Sequence, residues 1–283
     1  MDCRANKKRT VRFLPIDTPT QKVEVTREKI IQTLIDALKP LDYVHAYYEG
    51  GAVAFNRVDE WSDIDAYVVV DDDKINETFA VVEKALESLS PIKLKYEVQQ
   101  TPWEGLSQAF YKLENASEYL IIDLAVLKLS SPEKLLEPEI HNNAVFYFNK
   151  SNKVTIPRLN KDAFIKELKK ILERRRARFE LFNSFVQKEI NRGNFLEAID
   201  LYYSLTLASL VEALRIKYNP LHYNFKMRYI HYELPPEIIK KLENLYSIND
   251  KKDLQKKYDE ATEWYKEAMA EINPEEIEQL INA

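Results

Sequence analysis

Glycine is scarce, at four residues in a chain of 283. No Walker-type loop and no GxGxxG run occurs, so neither a P-loop nor a dinucleotide-binding fingerprint is available. The one cysteine, Cys3, excludes an internal disulfide. The four histidines, His45, His141, His222 and His231, lack zinc-type spacing and read as structural. No apolar run reaches the length of a spanning helix. The basic start MDCRANKKRT is followed by no apolar segment of a secretory signal. These absences lead to the expectation of a cytoplasmic protein without a membrane partner. A basic excess is missing as well: the net charge is −5 and the pI about 5.6. Such a balance weighs against sequence-independent binding of nucleic acid.

What is present is material for two cores. Hydrophobic residues make up 45% of the chain and charged residues 31%, and the length suits two domains. Residues 1–22 read as an N-terminal arm broken by Pro15 and Pro19. Thr26 caps a helix to Leu38, and Pro40 stops it. Strands are expected at 43–49 and 63–70, a helix at 75–89, and a half-buried strand at 92–99 with Ile92, Leu94, Tyr96 and Val98 on its inner face. A strand pair follows at 108–113 and 118–127, then a small hairpin at 145–154. After Pro157 the pattern turns helical, with helices at 161–190, 195–218, from Pro235-Pro236 to 246, at 252–272 and at 274–282. The expectation is an α/β (α+β) domain with a small mixed sheet over 1–155, followed by an all-α bundle over 156–283.

The stretch from Tyr48 to Val70, YEGGAVAFNRVDEWSDIDAYVVV, carries the chemistry. Gly50 and Gly51 sit together directly after a strand, where they permit a sharp turn and close approach of a ligand. Asp63 and Asp65 open the next strand. Side chains two apart on a strand share a face, so these carboxylates can converge on a hard cation. Asp123 lies inside the apolar run YLIIDLAVLKL. A charge in such a run is costly unless it is paired or on a metal. A structural ion pair is the competing explanation for Asp123. Glu97 is the rival third acid, but it shares a face with Lys93 and Lys95 and reads as part of an exposed ion pair.

The run GAVAFNRVDEWSDID resembles the signature of polymerase-β-type nucleotidyltransferases. That signature is a glycine turn, a spacer, then Asp-hydrophobic-Asp, with a third acid on a later strand. Gly51, Ala54 and Ser62-Asp63-Ile64-Asp65 fall on the form seen in minimal and antibiotic-modifying members, of kanamycin or lincosamide type. The resemblance covers about residues 27–155 and extends to the helical second domain only in layout. Two positions depart from it. Ala52 replaces the usual serine, and Asn56 replaces the second glycine, where asparagine tolerates left-handed backbone.

The resemblance implies that Asp63, Asp65 and Asp123 are the catalytic, metal-binding residues. It also implies two Mg²⁺ ions, an NTP as substrate, and an active site between the domains. Nucleotide-binding positions would be Gly50, Gly51, Ala52, Asn56, Arg57 and Ser62, with Arg57 equally readable as an exposed turn residue. The reaction would move a nucleoside monophosphate, AMP first, to a hydroxyl of a small-molecule acceptor. A protein acceptor, an RNA end, and a non-catalytic nucleotide-binding regulator are the alternatives. The acidic pI weighs against RNA, and the oligomeric state is open, a homodimer included. Arg215 and His222 resemble the Arg-spacer-His motif of HEPN-type ribonucleases, with Pro220 between them. The basic run Lys169-Lys170 with Arg174-Arg175-Arg176 reads as a solvated helix face.

Overall fold

A computed structural model describes residues 25–282. The arm expected over 1–22, with Cys3, lies outside the described residues. The chain divides into two compact units. The first runs to Lys134 and takes in Val145–Val154, and the second comprises Leu135–Ala144 and everything from Thr155 on.

The first unit begins with α1 (Arg27–Leu38), whose Thr26 cap accepts the Lys29 N–H at 3.3 Å. Ile30, Leu34 and Leu38 recur every four residues and are fully buried. The following elements are β1 (Val44–Glu49), α2 (Gly51–Ala54), β2 (Ile64–Val70), α3 (Ile75–Leu89), β3 (Ile92–Glu97), β4 (Leu106–Leu113) and β5 (Ile122–Lys128). The one-turn α4 (Pro138–His141), which belongs to the second unit, precedes β6 (Val145–Asn149). The six strands form one sheet in the order β3-β4-β5-β2-β1-β6. Among these six strands, only β2 and β5 pair in parallel.

Alternation sorts the two faces of this sheet. Ile64, Ala66 and Val68 of β2, Ile122, Leu124 and Val126 of β5, and Ala109 and Tyr111 of β4 pack against α1 and α3 in one core. The period of two therefore sends Asp65, Asp123, Gln108 and Phe110 to the opposite face. The expected mixed sheet is present, with two differences. Leu94 and Tyr96 are not inner residues of β3: they are 60% and 61% exposed. The reason is that β3 is an edge strand whose charged side turns toward α3, where Lys95 binds Glu83 at 2.6 Å. Residues 145–154 are not a hairpin either. Their single strand β6 pairs with β1, and a one-turn helix at Lys150–Asn152 follows.

The second unit is helical: α5 (Lys161–Phe182), α6 (Ser184–Arg192), α7 (Phe195–Leu201), α8 (Ala208–Tyr218), α9 (Ile230–Glu233), α10 (Pro236–Tyr246), α11 (Lys251–Glu271) and α12 (Pro274–Asn282). The helix expected over 161–190 breaks at Asn183. That side chain is buried and receives a hydrogen bond from Thr206 while donating to Tyr258 and Thr262. The helix expected over 195–218 is interrupted by a wider π turn at Tyr202–Leu207. No helix among the described residues is long and apolar enough to cross a membrane.

The Arg215 and His222 pair resolves as structure. Arg215 is fully buried and binds Glu233 at 2.7 Å, and it donates to the Lys226 and Arg228 carbonyls. His222 meets the other Glu233 oxygen at 3.0 Å and stacks on Phe225 at 4.1 Å. With no solvent face, Arg215 does not serve a ribonuclease-like site. Instead it ties the segment after α8 to α9. Removing one member of a buried ion pair leaves the other charge uncompensated, at about 3–5 kcal/mol. Arg215→Met should therefore lower stability by that order, read as a falling denaturation midpoint of the helical unit. An unchanged midpoint would contradict the structural role.

Candidate active site

The site is built on the parallel pair. Its register runs from Ile64 opposite Ile122 to Val70 opposite Lys128, so Asp65 stands directly beside Asp123. Neighbouring strands are about 4.8 Å apart. Both carboxylates project from the face that α1 and α3 leave uncovered. The Gln108 side chain confirms that orientation from β4, donating to Asp123 Oδ1 at 2.7 Å. Asp123 is held well above the usual carboxylate range, at about 6. Burial is the main cause; the charges of Asp65 and Asp63 add to it, and the Gln108 hydrogen bond opposes it.

Asp63 sits one residue before β2. Its Oδ1 accepts the Ile121 N–H at 3.3 Å, and its carbonyl accepts from Arg27 at 2.5 Å. The same Arg27 pairs with Glu49, the fully buried last residue of β1, whose other oxygen receives the Tyr147 hydroxyl at 2.5 Å. One guanidinium thus joins the start of α1, the end of β1 and the entrance to β2.

The glycine turn is shaped around Asp65. Gly51 has φ +55°, and a Cβ there would stand 1.7 Å from Asp65 Oδ2. No side chain fits between this turn and the carboxylate. The Gly50 N–H donates to the Asp65 carbonyl at 3.1 Å, which fastens the turn to β2. Asn56 takes the left-handed conformation, φ +53°, in the place of the second glycine. The Ala52 carbonyl accepts the Arg57 N–H at 2.9 Å, and the Arg57 guanidinium lies over the Phe55 ring at 5.2 Å. The Ser62 hydroxyl is engaged within its own turn, donating to Asp59 Oδ1 at 2.8 Å and accepting the Asp59 N–H at 2.9 Å.

Among the described residues, no group of three or more His, Cys, Asp or Glu side chains stands close enough together to hold a metal ion. The three aspartates therefore do not form a ready-made cage. Asp65 and Asp123 are adjacent, while the Asp63 carboxylate is occupied by the Ile121 amide. The donor set still suits a hard divalent cation: two half-buried carboxylates side by side in register. Glu97, the rival third acid, binds Lys95 on the helix side of β3. Of the acids ending β2, Asp71 meets His45 at 2.6 Å and Asp72 accepts the Ser130 N–H at 3.1 Å. The basic run on α5 is largely paired: Arg174 binds Glu167 at 2.7 Å and Arg175 binds Glu212 at 2.9 Å.

Gln108, Arg27 and Glu49 are site neighbours that the sequence did not reveal. Gln108 alternates correctly for Asp123's face, but only the pairing of β4 with β5 gives that alternation meaning. No comparable signal marks Arg27 or Glu49.

No family model matches the chain, and no curated protein matches it. Two solved structures align along most of its length. An aminoglycoside 6-adenyltransferase from Bacillus subtilis is 14% identical, with 91% of this chain and 97% of that one covered, at a TM-score of 0.29. The spectinomycin adenyltransferase AAD(9) from Enterococcus faecialis, solved with ATP and spectinomycin, is 13% identical, with 91% and 100% covered, at 0.31.

The raised Asp123 gives a pH-dependent expectation. A carboxyl held above its unfolded value stabilises the fold while protonated, and that contribution is lost as pH rises through about 6. In metal-free buffer at pH 7.5, Asp123→Asn should raise stability by ~1–3 kcal/mol, allowing for partial exposure. The gain should vanish by about pH 4, near the ordinary carboxylate value. Thermal melts across this range check it, and a destabilised variant at pH 7.5 would refute it.

Proposed function

We propose that the chain is a magnesium-dependent nucleotidyltransferase that moves a nucleoside monophosphate, AMP in the first instance, from an NTP to a hydroxyl of a small-molecule acceptor. The observation that carries this reading is the in-register Asp65–Asp123 pair with Gly51 seated against Asp65. A structural ion pair, the competing reading of Asp123, finds no support. The Asp123 side chain meets the Gln108 amide and the like charges of Asp65 and Asp63, and among the described residues no cation pairs with it.

In this reading the acceptor oxygen bonds to the α-phosphorus, and the bond from that phosphorus to the bridging oxygen breaks. Pyrophosphate leaves with the electron pair. Asp123, held in place by Gln108, would take the proton of the acceptor hydroxyl as a positioned general base. The Gln108 amide fixes the orientation of that carboxylate. Asp65 and Asp123, with Asp63 once its carboxylate turns from the Ile121 amide, would hold magnesium. Bound there, magnesium would neutralise phosphate charge and lower the pKa of the acceptor hydroxyl. The Gly50–Gly51 turn brings backbone instead of side chains up to Asp65, and Ala52 would offer the phosphates backbone only. Positioning and charge stabilisation do most of the work in such transfers.

A second reading, a nucleotide-binding regulator without turnover, is favoured by one observation: Ala52 supplies no hydroxyl at the turn. Protein and RNA-end acceptors have no separate observation behind them. The test is pyrophosphate release from MgATP over a panel of polyhydroxylated small molecules, with calorimetry of nucleotide binding alongside. Wild type should release pyrophosphate with some acceptor, and Asp65→Asn should lose the activity by about 10²–10⁴-fold while staying folded. Binding without release would transfer the case to the regulator. Full activity in Asp65→Asn would end the assignment.

A further inference from the structure

Two aromatic side chains stand in the open in the turns that lead into β2 and β5, and the chemistry above does not use them. Trp61 is 59% exposed and Tyr119 52% exposed. Their ring centroids are 4.9 Å apart, edge to face at 77°. Neither ring belongs to the core of its unit. Tryptophan is on average a heavily buried residue, and a single exposed apolar side chain is ordinary, but here two exposed rings are packed against each other in one apolar patch.

The placement of the pair is built. Trp61 and Tyr119 lie three residues upstream of Ile64 and Ile122, the first pair of the parallel register. The turn before β2 is closed by Ser62 and Asp59: the Trp61 N–H donates to Asp59 Oδ1 at 3.0 Å, and the Ser62 N–H donates to the Asp59 carbonyl at 3.2 Å. The turn before β5 is closed by Ser117, whose hydroxyl accepts the Tyr119 N–H at 3.3 Å and whose carbonyl accepts the Leu120 N–H at 3.1 Å. Each turn holds its ring outward against the other. Two residues beyond Trp61 is Asp63, and two beyond Tyr119 is Ile121, whose N–H binds the Asp63 carboxylate. The rings and the carboxylates therefore share one end of the β2–β5 pair.

We propose that Trp61 and Tyr119 form a stacking platform for the base of the nucleotide substrate, an inference that rests on the nucleotidyltransferase reading. Of the two substrates, only the nucleotide necessarily carries a planar π-system. Stacking on an aromatic side chain is tolerant of base identity, because every base has a π-face. The platform accordingly favours purines by their larger face and does not separate ATP from GTP. A ring of the acceptor is the rival occupant.

Calorimetry with two probes, MgATP and magnesium tripolyphosphate, separates base from phosphate. Trp61→Ala and Tyr119→Ala should each weaken MgATP binding by roughly tenfold, the scale of one lost base stack. Tripolyphosphate binding should not change, and Trp61→Phe should retain most of the affinity. The chain has three tryptophans: besides Trp61, Trp264 is 7% exposed in the helical core, and Trp103 is partly buried beside Gly105 and Lys128, at the opposite end of β5 from Tyr119. MgATP should therefore quench wild-type fluorescence, tripolyphosphate should not, and the quench should disappear in Trp61→Phe. Wild-type MgATP affinity in both alanine variants overturns the platform while leaving the nucleotidyltransferase reading intact. A raised acceptor KM with unchanged MgATP affinity overturns it in favour of the acceptor ring. Failure of wild type to bind MgATP overturns the underlying reading and the platform with it. Should an alanine variant fail to fold, the contrast in quenching between the two probes decides.

Discussion

Two carboxylates stand side by side in this sheet because β2 and β5 run parallel and in register, and the rest of the site is arranged around that juxtaposition. Burial, with the like charges of Asp65 and Asp63 adding to it, makes Asp123 hold its proton to about 6. A sheet selected for stability alone has little reason to keep such a pair, since apolar residues would fill both positions at lower cost. A divalent cation would convert the repulsion into coordination, which makes the pair intelligible as a candidate site.

The surrounding devices fix this end of the sheet from several directions. Arg27 reaches from the first turn of α1 to the Asp63 carbonyl and the buried Glu49. Gly50 ties the turn after β1 to Asp65, and Gly51 clears the space that the Asp65 carboxylate occupies. Gln108 restrains Asp123 from the third strand. These contacts link α1, β1, β2, β4 and β5 at one place, so the carboxylates are positioned by rigid elements as a preorganised site requires.

Much of this was legible in the sequence. The pairing of Gly50-Gly51 with Asp63-Ile64-Asp65, and the isolated charge of Asp123 in an apolar run, are local patterns, and the sheet places Asp65 and Asp123 together. The left-handed turn at Asn56 also follows from residue type. What the sequence did not disclose depends on partners distant in the chain. The alternation of Ile92, Leu94 and Tyr96 suggested an inner face, but β3 is an edge strand and Glu83 on α3 attracts the charged side instead. Asn183 breaks a continuous helical pattern because its amide is satisfied by Thr206, Tyr258 and Thr262 from other helices. The hydrogen bonds by which Ser62 closes a turn with Asp59 were likewise not visible in the sequence.

The central claim is that Asp65 and Asp123 jointly hold the catalytic cation. Manganese takes the same oxygen ligands as magnesium and is visible by electron paramagnetic resonance. Titrating Mn²⁺ in the presence of a non-hydrolysable ATP analogue, into wild type and into a double Asp65→Asn, Asp123→Asn variant, measures the claim directly. The account predicts nucleotide-dependent manganese binding in wild type and its loss in the folded double variant. Equal binding in the two proteins would place the cation elsewhere and contradict the account.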